Sequence, residues 1–167
     1  MSDCCPAPTP CAVSRRACPS CGTVGRVVAD KTIQAILQPA QALSLLPVGR
    51  RFCGTRSCEV VYYGDDGRAV TKSDTPIRVG VKERKDPIPL CYCFGFSVAD
   101  VRREIGETGQ CTIPARITAG IRAGCCSCEV MNPSGGCCLG EVNKAVEEAL
   151  RRASGPESLR TAKTADD

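Results

Sequence analysis

Residues 91–138 read CYCFGFSVADVRREIGETGQCTIPARITAGIRAGCCSCEVMNPSGGCC, opening on Cys91-Tyr-Cys93 and closing on Cys137-Cys138, with Cys111, Cys125, Cys126 and Cys128 between them. A C-x-C pair on a short loop presents two thiolates to one centre. A helical excursion of about thirty residues then lets the chain return with two more, and four thiolates are what a [2Fe–2S] cluster requires. The segment is therefore read as an iron–sulfur site.

The competing reading is a disulfide framework, for which a small, cysteine-dense chain is ordinarily good evidence. Three features argue against it. The opening residues MSDCCPAPTP carry neither a basic n-region nor an apolar h-region, so no secretory signal is expected and a reducing, cytoplasmic setting is. Adjacent and alternating cysteines, as in Cys125-Cys126-Ser127-Cys128, are awkward to pair with one another, because a disulfide needs Cα atoms roughly 4.4–6.8 Å apart with converging Cβ vectors. The total of 15 cysteines is also odd.

Composition narrows the chemistry further. With 3 Phe, 3 Tyr and no Trp in 167 residues, the core is limited, and metal centres would supply the missing staples. There is no histidine, which removes Cys₂His₂ zinc sites, Rieske ligation and histidine-based hydrolysis together. No P-loop or G-x-S-x-G is present either. The formal charge of +4 invites a nucleic-acid reading, but a zinc–tetrathiolate centre and an oxidised [2Fe–2S] centre would each carry about −2 and cancel it. The pairs Arg15-Arg16, Arg50-Arg51 and Arg151-Arg152 are scattered and lack interleaved aromatics, so they read as solvated faces. No apolar run approaches the roughly twenty residues of a membrane span. Neither nucleic acid nor membrane is expected as a partner.

The class expected is α+β: a small zinc-ribbon-like β module followed by a helical cluster-binding module, with disordered ends. Residues 1–16 read as a disordered tail punctuated by Pro6, Pro8 and Pro10, leaving Cys4, Cys5 and Cys11 mobile. Residues 17–80 form the first module. Cys18-Pro-Ser-Cys21 followed by Gly22 is a C-x-x-C knuckle, and Cys53-Gly-Thr-Arg-Ser-Cys58 is its second half. Strand-like residues 24–29 and 59–63 follow the two knuckles, so a sheet could bring the four thiolates onto one zinc ion. Ile33, Ile36 and Leu37 mark a helix between them, and Gly64 to Gly67 a turn into a hairpin partner at 68–71.

Residues 81–90, charged and interrupted by Pro87 and Pro89, read as a semi-rigid linker. Residues 91–153 form the second module. Ser97 is a candidate N-cap for a helix with Val98, Val101 and Ile105 on one face, ended by Gly106 and Gly109. A second helix opens near Thr112 with Ile113, Ile117 and Ile121 in register, and a last one runs over 140–152. Residues 154–167 read as a second disordered tail.

At these motifs the chain resembles the N-terminal part of the archaeal-type copper chaperone CopZ, in which a zinc-ribbon-like module precedes a [2Fe–2S] module similar to bacterioferritin-associated ferredoxin. The stretches that carry the resemblance are Cys18-Pro-Ser-Cys21, residues 53–63, 78–84 and 91–93, and Asn132-Pro-Ser-Gly-Gly-Cys-Cys138. The resemblance assigns zinc to Cys18, Cys21, Cys53 and Cys58, and the cluster to Cys91, Cys93, Cys128 and Cys138. Ferredoxin-like spacing alone would choose Cys125 with Cys128 instead, and Cys125 stays open as the fourth ligand. The chain departs from the pattern after residue 140, where no heavy-metal-associated domain with an M-x-C-x-x-C loop follows.

What the resemblance implies is a zinc- and [2Fe–2S]-containing metallochaperone-like protein of copper or mercury homeostasis, reducing Cu²⁺ to Cu⁺ for handover to an efflux system. A copper-transporting ATPase or a separate heavy-metal-associated domain would be its partner, with transient Cu⁺ as cargo and a redox partner besides. Any enzyme activity would be at most a cluster-dependent Cu²⁺ reduction. The alternatives are a ferredoxin-like [2Fe–2S] electron carrier and a zinc-ribbon module whose cysteines are all structural. Cys125, Cys126 and Cys137 are read as a landing site for a soft metal or as packing.

Overall fold

In the computed structural model, residues 16–45 and 49–155 are described. The expectations for the two tails, and for Cys4, Cys5 and Cys11, lie outside them.

The first half is an antiparallel meander in the order β1-β2-β3-β4: β1 (Arg26–Val27), β2 (Arg50–Phe52), β3 (Val60–Gly64) and β4 (Ala69–Thr71). Two short helices, α1 (Asp30–Ile36) and α2 (Pro39–Leu45), join β1 to β2. Pro39 opens α2 where its missing N–H costs nothing. The strand expected over 24–29 is shorter, with only Arg26 and Val27 in the sheet and an isolated bridge from Ala17 to Val24.

β3 is the hinge of this module, buried along its whole length. Strict alternation would send Val60 and Tyr62 to one face and Val61 and Tyr63 to the other. A register shift against β4 between Val60 and Tyr62 breaks that pattern. Val61 and Tyr62 accordingly join the core with Ile33, Leu45, Phe52 and Val79, whereas Val60 and Tyr63 pack with Cys18, Cys53 and Cys58. One bulged strand thus serves both the apolar core and a cysteine cluster.

The second half begins with the hairpin β5 (Pro89–Cys91) and β6 (Phe96–Ser97) and continues as helices α3 (Val98–Thr108), α4 (Ile113–Arg122), α5 (Cys128–Met131) and α6 (Leu139–Ala153). Ser97 caps α3 as expected. Its Oγ accepts from the Asp100 amide at 3.3 Å while Asp100 Oδ2 accepts from the Ser97 amide at 2.9 Å, a reciprocal capping box. Gly106 does not stop this helix. It lies inside α3, and Gly109, at φ 73°, closes it by donating its N–H to the Ile105 carbonyl. Val101, Ile105, Ile113, Ile117 and Val142 form the core, sharing it with Cys91, Cys128 and Cys138.

The segment between the halves is firmly packed. Lys82 and Glu83 are buried, at 5% and 7% exposure. Glu83 sits between Lys72 (3.1 Å) and Arg78 (2.8 Å), and Lys82 Nζ donates to the Thr55 carbonyl at 2.7 Å. The Tyr92 hydroxyl accepts from the Gly80 amide at 2.8 Å and donates to the Arg78 carbonyl at 3.0 Å. Further contacts tie the halves directly. Tyr62 donates its buried hydroxyl to the Pro133 carbonyl at 2.7 Å, Thr32 donates to the Glu129 carbonyl, and Lys31 pairs with Glu129.

Candidate metal centres

The first centre grows from two backbone turns. In the Cys18–Cys21 knuckle the Gly22 amide donates to the Cys18 carbonyl at 2.9 Å, and Gly22 takes φ 71°, a conformation that suits a residue without Cβ. The Cys18 amide then donates to Thr23 O, closing the knuckle as a small hairpin. In the second knuckle the Cys58 amide donates to the Thr55 carbonyl and the Cys53 amide to Val61 of β3. Tyr63 staples the halves: its hydroxyl accepts from the Gly25 amide at 2.6 Å and donates to the Arg16 carbonyl at 2.8 Å.

These turns bring all four predicted sulfurs, Cys18, Cys21, Cys53 and Cys58, within 4.8 Å of one another. Cys18 and Cys58 are 3.9 Å apart, Cys21 and Cys53 3.6 Å. A tetrahedron with Zn–S bonds near 2.3 Å has edges of about 3.8 Å, so the donor set fits zinc in both chemistry and size. Four thiolates close the coordination shell, which is the signature of a structural site. Burial pushes the Cys18 thiol up to about 12, whereas the Thr55 hydroxyl, 3.5 Å from Cys21 Sγ, stabilises that thiolate and holds it down to about 6.

The second centre forms where the β5–β6 hairpin, the loop into α5 and the start of α6 converge. Cys93 Sγ lies 3.7 Å from Cys128 Sγ, and the Ser127 amide donates to Cys93 Sγ at 3.3 Å. Burial and then the neighbouring thiols of Cys91 and Cys128 drive the Cys138 thiol up, and the three cysteines pack in one core cluster. Burial pushes the Cys128 thiol up to about 12. Cys91, Cys128 and Cys138 are buried and Cys93 is half-buried. Asn132 shapes the approach to Cys138. Its Nδ2 donates to the Gly136 carbonyl at 2.7 Å, while its Oδ1 accepts from the Ser134 amide and hydroxyl, both at 3.1 Å.

Cys125 stands apart. It is exposed, with its Sγ 3.7 Å from the Ala123 carbonyl. Cys111 faces the Glu104 carboxylate at 3.3 Å, and Cys137 is exposed on the wall of a cleft of about 600 Å³ between the zinc sheet and α6. Cys126, read in the sequence with Cys125 and Cys137 as a soft-metal landing site or packing, is 3.4 Å from Cys128 Sγ and within 4.8 Å of both Cys93 and Cys128. The signal for it was in the sequence: Cys126-Ser-Cys128 repeats the C-x-C pattern of Cys91-Tyr-Cys93.

Comparison with known proteins is consistent between sequence and structure. Residues 15–75 match the CopZ zinc-finger family, described as a zinc binding domain. A curated relative, the copper chaperone CopZ of Archaeoglobus fulgidus, is 34% identical over 121 residues, covering 72% of this chain. The chain spans 57% of that relative's length. The X-ray structure of the Archaeoglobus fulgidus CopZ N-terminal domain superposes with a TM-score of 0.66 at 31% identity, covering 77% of this chain and 95% of that domain.

Proposed function

The chain belongs to the CopZ family through its zinc-binding domain and its N-terminal-domain fold, and on that premise we propose that it is a cytoplasmic metallochaperone-like redox protein of copper homeostasis. The observation that carries the reading is the presence of two separate cysteine clusters in one packed body, one closed and structural, the other joined to the core of the helical half. Cys18, Cys21, Cys53 and Cys58 hold Zn²⁺ and brace the sheet. Cys91, Cys93, Cys128 and Cys138 hold a [2Fe–2S] cluster. When bound, such a cluster supplies a one-electron couple whose potential depends on hydrogen bonds to its sulfurs.

The chain's own contribution is to shape that centre. The Ser127 amide stabilises the Cys93 thiolate, while burial of Cys91 and Cys138 excludes water from one side. The substrate, Cu²⁺, takes up one electron and leaves as Cu⁺, and a one-electron donor protein restores the balance. Exposed Cys137 offers soft sulfur near the surface, which favours Cu⁺ over Cu²⁺. A copper-transporting ATPase or a heavy-metal-associated domain would receive the product. Among the described residues no helix is long and apolar enough to cross a membrane.

The test is made on the full chain purified without oxygen. Iron, sulfide and zinc are measured, then Cu²⁺ is added with a Cu⁺-specific chelator. About two irons, two sulfides and one zinc per chain are expected, with about one Cu⁺ formed per reduced cluster. Cys138→Ser should lose the iron and the reduction, and Cys125→Ser should keep both. Iron without copper reduction would favour a plain electron carrier, and zinc without iron would overturn the redox reading.

A further inference from the structure

The second centre contains more thiols than a four-ligand cluster can use, and the extra one is not peripheral. Cys126, Cys128 and Cys93 form a compact trio whose sulfurs all lie within 4.8 Å of one another, with edges of 3.4 Å from Cys126 to Cys128 and 3.7 Å from Cys93 to Cys128. The Ser127 amide, lodged between two of these cysteines in sequence, turns inward to donate to the third. That contact wraps the Cys126–Cys128 loop around Cys93 and sets the trio as one unit. Cys91 and Cys138 lie on the buried side and are not part of it.

Three thiolates in a triangle of this size match a soft monovalent d¹⁰ cation. Cu⁺ has no ligand-field preference for a fourth donor and favours thiolate over oxygen or nitrogen. We propose that Cys93, Cys126 and Cys128 form a mononuclear Cu⁺ site in the cluster-free protein, distinct from the proposed cluster site but sharing two of its sulfurs. Cu⁺ leaves its donor complex, three Cu–S bonds form, and the three thiol protons pass to solvent, with no change of oxidation state. Cys126 is half-buried and next to exposed Cys125, so the trio opens toward solvent on the side from which the ion would arrive.

Two occupants thus compete for Cys93 and Cys128. Cys91 and Cys138 complete the set for the cluster, and Cys126 completes it for copper. The cluster-loaded chain would act on Cu²⁺, and the cluster-free chain would carry Cu⁺. This inference rests on the copper half of the proposed function and is independent of the ability of the cluster to reduce copper.

The experiment uses the full zinc-loaded chain, free of cluster and without oxygen, titrated with Cu⁺ against bicinchoninate. Wild type, Cys126→Ser, Cys138→Ser and Cys125→Ser are each also tested for cluster reconstitution by visible absorbance. Zinc content reports whether each variant keeps its fold. Cys126→Ser should weaken Cu⁺ binding by at least about a hundredfold, since loss of an outer-shell partner alone costs roughly 10–100-fold, and should still accept the cluster. Cys138→Ser should do the reverse, binding Cu⁺ as wild type does and failing to take the cluster. Cys125→Ser should change neither.

Equal Cu⁺ affinity in wild type and Cys126→Ser would overturn the trio while leaving the copper reading in place. No Cu⁺ binding by wild type would overturn both. If Cys126→Ser loses its zinc and so its fold, X-ray absorption on the copper-loaded wild type decides: three sulfur neighbours uphold the site, and two refute it.

Discussion

Tyr62→Phe removes one oxygen from the interior and tests whether the two halves of the molecule act as one. Tyr62 is fully buried, and its ring meets Phe52 edge-on at a centroid separation of 5.9 Å, a contact that phenylalanine retains. Only the hydrogen bond to the Pro133 carbonyl, 2.7 Å long, is lost. Pro133 is also fully buried, so its carbonyl would be left unpaired away from water. Leaving a buried acceptor unsatisfied costs about 1–3 kcal/mol. Taking about 2 kcal/mol and a shift of roughly 2–4 °C per kcal/mol for a chain of this size, Tm should fall by about 4–8 °C.

A second consequence is local. Pro133 belongs to the Asn132–Cys138 turn that presents the sulfur of Cys138, so, if the proposed cluster is held there, a looser turn should release its iron to a chelator faster, by up to about 30-fold for 2 kcal/mol. Burial pushes the Tyr62 phenol well above its ordinary value, so it remains a donor throughout the accessible range. Both effects should therefore be equal at about pH 6 and about pH 9. A Tm within about 1 °C of wild type, with unchanged iron release, would refute the idea that this bond couples the sheet to the Asn132–Cys138 turn.

Other perturbations probe the zinc half and the packed connection. At Gly25 an added methyl would stand 2.5 Å from the Phe52 carbonyl and 2.7 Å from the Tyr63 hydroxyl, so Gly25→Ala should cost about 1–3 kcal/mol by overpacking and speed zinc transfer to a chromogenic chelator. Glu83 lies in a buried site that would raise its pKa, but its bonds to Arg78 and Lys72 outweigh burial and hold it below the ordinary carboxylate range. Its stabilising effect is thus present above the unfolded value near 4.3 and lost as pH falls through the lower folded value. Glu83→Gln should cost about 2 kcal/mol in neutral denaturant melts and converge with wild type in acid. Cys53→Ser should abolish stoichiometric zinc and, because structural zinc contributes on the order of 10 kcal/mol, much of the native circular dichroism as well.

Much of the architecture could be read from local pattern. The two knuckles, the Ser97 cap, Ile113 and Ile117 of α4 and Val142 of α6 are short-range signals, set by spacing along the chain, although Ile121 and Leu150, which continue the same stripes, are exposed because the partner helices no longer cover them there. What escaped depends on contacts remote in sequence. Nothing in Glu59-Val-Val-Tyr-Tyr63 announces the bulge that splits Val60 and Tyr63 from Val61 and Tyr62, because the shift is a property of pairing with β4. Residues 81–90 read as a charged, semi-rigid linker, and burial of Lys82 and Glu83 is not apparent from their spacing. Their partners, Thr55, Lys72 and Arg78, become visible only when the sheet is assembled.

The cysteines show the same limit at finer scale. Spacing alone left Cys125 and Cys138 as rivals, since C-x-x-C and the Asn-Pro-Ser-Gly turn each supply a reason. In the fold Cys125, just beyond α4, is exposed, whereas Cys138, at the start of α6, is buried in one cluster with Cys91 and Cys128. The same turn that exposes Cys125 draws Cys126 back against Cys128, because the Ser127 amide points to Cys93 and the residue before it must follow. A sulfur that the sequence could place only as a soft-metal landing site or as packing thereby joins the Cys93–Cys128 trio, and on the proposed reading Cys126→Ser is the substitution that would separate copper binding from cluster binding.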